Sequence, residues 1–241
     1  MINIVIPMAG LGSRFSSAGY DNPKPFIDVN GKPMIERVIE NLLIPDSRFI
    51  LLAREEHIDE FSVYLDNLKA KYNLIVFPVA NLTQGTACTV LLSRDLISDD
   101  NRLIVANSDQ IIDLDFAEFV EDAMQRDLDG SILTFEDEMK NPKWSFAKTD
   151  QNNLVVEVQE KKPISNKATV GIYYFRKGYD FVEAAIDMVL DQNTVNGEYY
   201  TCPVYNYLIK KGMNIGIFDV DEKLMHGLGT PEDLDLYLSR Q

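Results

Sequence analysis

Short, nearly unbroken apolar runs spaced by longer helical stretches constrain this chain most. The runs at residues 2–6, 49–53, 74–79 and 103–106 read as strands. Residues 34–43, 55–69, 86–96 and 116–126 read as helices; in the second of these, Ile58, Phe61, Leu65 and Leu68 recur at three- and four-residue spacing. Strands separated by helical patterns of about 10–15 residues call for βαβ units, whose strands lie parallel. Parallel strands are covered on both faces, which explains why these runs are continuously apolar instead of alternating.

The second half has another rhythm. Residues 131–135, 144–149, 154–159 and 169–175 read as closely spaced strands, with Asp150-Gln151-Asn152-Asn153 as a hairpin turn. Helices at 179–190 and 200–210 precede a strand at 215–220. Thr230-Pro231-Glu232 then opens a last helix with a capping residue, a proline at the first helical position and an early acid. No linker, repeat or long charge run divides the chain. Residues 1–241 are therefore expected to form a single domain, with a parallel half (1–127) and a mixed half (128–241) as the two walls of a cleft.

Charge narrows the partners. With 23 basic and 38 acidic side chains the net charge is −15, which argues against an extended nucleic-acid or anionic-membrane footprint. A small phosphorylated ligand needs only a few placed cations and stays allowed. Cys88 and Cys202 lie far apart without metal-ligand spacing, so neither a disulfide framework nor a zinc site is expected. No apolar run approaches the ~20 residues of a membrane span, and no basic segment precedes the first apolar run, so the expected location is cytoplasmic.

The most informative segment follows the first strand: Pro7-Met8-Ala9-Gly10-Leu11-Gly12-Ser13-Arg14-Phe15. Its glycines let the backbone approach a ligand and turn amides toward an anion, and Arg14 adds a fork for phosphate oxygens. Asn22-Pro23-Lys24-Pro25 comes next, with prolines stiffening the chain around Lys24. Together these form a compact polyphosphate clamp. A dinucleotide fingerprint fails because its third glycine falls at Phe15, and the Walker pattern is absent.

With this clamp, the chain resembles the sugar-1-phosphate nucleotidylyltransferases over nearly its whole length. Gly10-Leu11-Gly12-Ser13-Arg14 is similar to the family's GxGxR signature, Lys24 to its second signature lysine, and Gly31-Lys32-Pro33-Met34-Ile35 to the GKPMI that follows. The resemblance implies a single-domain, three-layer α/β/α fold, Rossmann-like and GT-A-type, with a mostly parallel central sheet. It implies a nucleotide site built from Ala9, Gly10, Leu11, Gly12, Ser13, Arg14, Lys24, Gln84, Gly85, Thr86, Ser108 and Asp109, within the half formed by 1–127. Asp109, in Asn107-Ser108-Asp109-Gln110 at a strand end, is the implied Mg²⁺ ligand. The acceptor side, in 128–241, is implied to use Glu160 and Lys162 of Glu160-Lys161-Lys162-Pro163, Gly171, and Glu198 of Gly197-Glu198-Tyr199-Tyr200-Thr201. Two departures stand out: Cys202 replaces an aspartate of that last segment, and Gly227 replaces the family's second metal-binding aspartate. His226 beside it, and His57, read as structural.

The reaction so implied joins a nucleoside triphosphate (CTP, UTP or dTTP) to a phosphorylated small-molecule acceptor and releases pyrophosphate, with Arg14, Lys24 and Asp109 as catalytic residues. A sugar 1-phosphate is the leading acceptor, in synthesis of surface-polysaccharide or capsule precursors; a phosphoglutamine-type acceptor taking CTP is the alternative, in a capsule-associated branch of the family. A homodimer is allowed. Two rivals remain: a GT-A-type glycosyltransferase with Ser108-Asp109-Gln110 as its metal motif, and a non-catalytic nucleotide-binding module.

Overall fold

A computed structural model describes residues 1–240. The strands are β1 (Ile2–Pro7), β2 (Ser47–Arg54), β3 (Leu74–Val79), β4 (Arg102–Ala106), β5 (Gln110–Ile112), β6 (Gly130–Glu136), β7 (Ser145–Thr149), β8 (Val155–Glu160), β9 (Lys167–Phe175), β10 (Ile215–Asp219) and β11 (Met225–Gly227). The helices are α1 (Ser13–Ser17), α2 (Met34–Asn41), α3 (Glu55–Glu60), α4 (Ser62–Lys71), α5 (Thr86–Leu91), α6 (Arg94–Ile97), α7 (Phe116–Gln125), α8 (Gly178–Leu190), α9 (Tyr205–Lys210) and α10 (Pro231–Ser239).

One sheet runs through the molecule in the order β10-β6-β9-β4-β1-β2-β3, with the β7–β8 hairpin attached through β9. β3, β2, β1 and β4 are mutually parallel, as are β6 and β10, while β9 is antiparallel to both its neighbours. The mostly parallel sheet expected from the apolar runs is therefore present. Alternate strand residues feed two cores. Ile2, Ile4, Ile6, Phe49 and Leu51 pack under α2, α4 and α7; Val5, Ile50, Leu52, Leu103 and Val105 pack under α5, α6, α8 and α9. These cores make the three layers.

Several predicted boundaries shift. The single helix expected over 55–69 breaks at Phe61 (φ −105°), whose ring turns inward to stack on Phe26 at 4.0 Å. The helix expected over 86–96 divides into α5 and α6 around Leu92 and Ser93, where the buried Ser93 hydroxyl donates to Val90 O at 2.8 Å. The helix expected from 200 begins only at Tyr205, after a 3-10 turn at Cys202–Val204. His57, read as structural, is buried edge-on to Phe26. The hairpin turn forms as read: Asp150 Oδ1 accepts from Asn152 N at 2.8 Å and Leu154 N at 3.0 Å, with Asn153 left-handed at φ +58°.

A third, smaller core decides where the site lies. Phe15, Ile27, Val29, Met34, Ile111, Leu228 and Leu234 cluster beneath the glycine loop. They clamp α1 to the C-terminal segment. The short antiparallel pair β5–β11, with Gly227 opposite Gln110, completes the connection, and Leu228 N donates to Asp109 O at 2.8 Å. Among the described residues, no helix is long and apolar enough to cross a membrane.

Candidate active site

β1 is flanked by β2 on one side and β4 on the other, so chain direction around the sheet switches there and a crevice opens beyond the carboxyl ends of both strands. The loop leaving β1 fills one lip. Gly12 adopts φ +60° and caps α1, and a Cβ built on it would lie 3.1 Å from Lys24 Cβ. The glycine is required twice over, for its left-handed backbone and for the close passage of the Lys24 stem. Lys24 is held by its flanking prolines in a 3-10 turn, and its ammonium lies 5.9 Å from the Phe15 ring centroid.

From there Lys24 Nζ forms an ion pair with Asp109 Oδ2, both side chains being largely shielded from solvent. β4 ends at Ala106, so Asp109 stands on the turn between β4 and β5, fixed from behind by the Leu228 amide. Arg14 is exposed, and its guanidinium makes no hydrogen bond or close ion pair among the described residues, its charge acting only at longer range on Glu232. Its guanidinium is available for a ligand.

A cavity of about 410 Å³ occupies the crevice. The whole run from Ala9 to Arg14 lines it, together with Lys24, Gly85, Thr86, Ser108 and Glu198. Gln84 does not; it is used by its carbonyl, which accepts from Tyr199 N at 2.7 Å. Gly85 lies at φ +110°, and a Cβ there would meet Tyr199 O at 2.5 Å, so the loop presses directly on the Glu198–Tyr200 segment. A second cavity, about 840 Å³, opens on the other side of Asp109 and is lined also by Asn107, Lys143, Trp144 and Asp233. Arg14 and Gly229 line both.

The candidate acceptor residues separate. Lys162 is exposed and touches no polar partner among the described residues. Its neighbour Lys161 has a left-handed backbone, φ +56°, and turns inward. Its ammonium donates to Tyr200 Oη at 2.5 Å and lies 4.5 Å from that ring's centroid, while Tyr200 Oη donates to Glu198. The Tyr200 hydrogen bond lifts the Lys161 pKa, keeping it cationic. The sequence did not single out Lys161 or Tyr200. A signal existed for Tyr200, two positions beyond Glu198, but none for the backbone flip that exchanges the two lysines.

Glu160 is buried and accepts a hydrogen bond from Ser145 Oγ. Burial pushes its carboxyl pKa up, with the Ser145 bond opposing. Gly171 lines neither cavity; at φ +91° it makes room for the Asn107 side chain. Cys202 is free and fully buried, and burial drives its thiol pKa upward, so it is an inert core residue. His226 Nε2 lies 2.9 Å from Asp113 Oδ2, which ties β11 to the segment after β5.

A family model for nucleotidyl transferases matches residues 4–202. The chain belongs to the nucleotidyl transferase family. Among curated relatives of this nucleotidyl transferase, the bifunctional protein GlmU of Methanococcus aeolicus is 31% identical over 186 residues, 76% of this chain and 42% of the relative. The mannose-1-phosphate guanylyltransferase catalytic subunit beta of Dictyostelium discoideum is 27% identical over 174 residues, 71% of this chain and 48% of the relative. The chain thus spans about half the length, or less, of these relatives. Among solved structures, the nucleoside-diphosphate-sugar pyrophosphorylase from Vibrio cholerae RC9 superposes with a TM-score of 0.83 at 27% identity, covering 99% of this chain and 100% of that one. The inositol-1-phosphate CTP transferase from T. maritima shares the fold at TM-score 0.73 and 18% identity, with 99% and 95% covered.

Proposed function

We propose that this nucleotidyl transferase couples a nucleoside triphosphate to a phosphorylated small-molecule acceptor and releases pyrophosphate. The observation that carries the reading is a glycine loop, the Arg14 guanidinium and Lys24 around one cavity, with the Lys24–Asp109 ion pair joining it to the second cavity, which Asp109 lines. A phosphate oxygen of the acceptor attacks the α-phosphorus in line, a new P–O bond forms, and the bond to the β-phosphate bridging oxygen breaks. The attacking oxygen is already anionic, so catalysis rests on positioning two polyanions and spreading their charge.

Each residue then has a physical task. The Gly10–Ser13 backbone approaches the triphosphate, Arg14 takes the departing β- and γ-phosphate oxygens, and Lys24 the α-phosphate. Gly85 and Thr86 face the nucleoside, and Glu198 with Tyr200 faces acceptor hydroxyls. Of the two lysines, Lys161 is better placed than Lys162 to meet the acceptor phosphate. Residues 1–127 supply most of the nucleotide side and 128–241 most of the acceptor side. A sugar phosphate is the acceptor class that the relatives' names support, and CTP, UTP and dTTP are the candidate donors. The product would be a nucleotide-activated metabolite of the kind that glycan-forming transfer consumes.

The residues fit a divalent cation. Among the described residues no three His, Cys, Asp or Glu side chains converge, and Asp109 is a carboxylate lining the second cavity. Mg²⁺ takes one or two carboxylates when phosphate oxygens complete its shell. Asp109, on the turn between the two cavities and bearing a cationic ammonium, is the group that would hold it. When bound, the ion would neutralise phosphate charge as the bond to pyrophosphate breaks.

The test is pyrophosphate release in Mg²⁺, crossing each common nucleoside triphosphate with a panel of sugar phosphates and amino-acid phosphates. Release dependent on both substrates is expected. Thermal stabilisation by a triphosphate without release under any pairing would overturn the reading in favour of a binding module. Transfer from a nucleotide-sugar donor would indicate a glycosyltransferase.

A further inference from the structure

Position 227 lacks a side chain, yet a carboxylate stands beside it. A Cβ built on Gly227 would lie 3.7 Å from Asp233 Cγ and 3.8 Å from its Oδ2. Asp233 comes from the first turn of α10, and its backbone amide is satisfied by Thr230 Oγ1 at 3.1 Å. Its carboxylate makes no hydrogen bond or ion pair among the described residues. An acid at this helix position often folds back to bond the capping residue's own amide. Here it points instead over Gly227 and Gly229 into the second cavity.

Gly229 marks where the two acids converge. A Cβ on it would lie 3.1 Å from Asp109 Oδ2 and 3.9 Å from Asp233 Oδ2, so both carboxylates reach within 4 Å of one point. That point has no side chain in it because residues 227 and 229 are both glycine. Asp109 already carries a cation in the form of the Lys24 ammonium, and Arg14 lines the same cavity. The arrangement is a pair of oxygen donors, with an open cradle between them, at the edge of the phosphate-binding loop. Two carboxylates around a hard cation leave its remaining positions for phosphate oxygens and water.

We propose that Asp233 supplies the second carboxylate of a divalent-cation site with Asp109, doing from α10 what no side chain at position 227 can do. A side chain at 227 would start in van der Waals contact with the Asp233 carboxylate. The proposal rests on the nucleotidyl-transfer reading but concerns a ligand of the ion, so ion binding tests it apart from turnover.

The experiment measures Mn²⁺ binding to the purified chain, without nucleotide, by the electron-paramagnetic-resonance signal of free Mn²⁺. Thermal unfolding checks that each variant is folded. Asp233→Asn and Asp109→Asn should each weaken Mn²⁺ binding at least about tenfold, since even an outer-shell partner is worth that much. Asp235→Asn, an exposed acid on the same helix, should bind like the wild type. The double variant Gly227→Asp with Asp233→Asn should recover most of the lost affinity, because the new carboxylate rises from beside the old one. Wild-type affinity in Asp233→Asn, an equal loss in Asp235→Asn, a folded double variant as weak as Asp233→Asn, or no Mn²⁺ binding by the wild type at millimolar concentration would each overturn the proposal. If the wild type still releases pyrophosphate in those cases, only the role of Asp233 falls.

Discussion

The Asn107 amide lies where a side chain on Gly171 would begin: a Cβ on Gly171 would sit 2.1 Å from Asn107 Nδ2. The two residues also pair through their backbones, Asn107 N donating to Gly171 O at 3.1 Å. β9 is thereby locked to the end of β4, two residues before Asp109. The glycine at 171 therefore acts on the site from beneath, by letting the strand end and its side chain settle in one place.

Gly171→Ala should destabilise the fold by about 1–3 kcal/mol, because a left-handed backbone and a steric overlap are imposed together. Urea denaturation reads the loss. A change within about 0.5 kcal/mol, the range of neutral surface substitutions, would show that Asn107 moves aside freely.

Arg14→Ala and Lys24→Ala should each lower pyrophosphate-release turnover by about 10²–10³, the scale of removing one preorganised transition-state donor. The two should differ in stability. Arg14 is unpaired, so its loss leaves folding unchanged, whereas losing Lys24 strips the shielded Asp109 of its ion pair. Steady-state rates with parallel melting curves check both statements, and normal turnover in either variant contradicts the assignment.

Lys161→Ala should raise KM for the acceptor while leaving KM for the nucleotide near the wild-type value; Lys162→Ala should change neither. The inward lysine is held by Tyr200, and the outward one has no partner. Kinetics at saturating triphosphate separate them. An effect confined to Lys162→Ala would mean that the loop reverses when the acceptor binds.

Burial raises the Glu160 pKa above its ordinary 4.5, so the folded state holds that proton more tightly than the unfolded chain. The native state therefore binds more protons between the unfolded and folded values. The stability this group contributes is full below about pH 4.5 and declines as pH rises through the folded pKa. Glu160→Gln should remove that decline, leaving a flatter curve of urea midpoint against pH above 4.5. An unchanged slope would show that Glu160 ionises as freely in the fold as outside it.

Much of the architecture could be read locally. The apolar runs at β1, β2, β3 and β4 specify buried parallel strands because nothing else hides four such segments at once. The glycine loop and Pro-Lys-Pro were legible because a tight turn and a rigid lysine are properties of a few neighbouring residues. The helix break at Phe61 was not, since helical spacing continues through it and only the distant Phe26 ring draws Phe61 inward. β5 and β11, three residues each, were invisible for a related reason. Strands that short have no pattern of their own and exist by pairing with each other across the chain.

Local chemistry in the chain thus determined that a strand–loop–helix unit would bring Arg14 and Lys24 to one cavity, because glycine freedom and proline stiffness act within a single turn. Only the tertiary structure decided that Lys161 rather than Lys162 turns onto Tyr200, and that Asp233 stands over Gly227 in the cavity that Asp109 also lines. Those outcomes depend on a backbone flip and on the β5–β11 pairing. Each is stabilised by contacts between segments far apart in the chain, which no short window of residues contains.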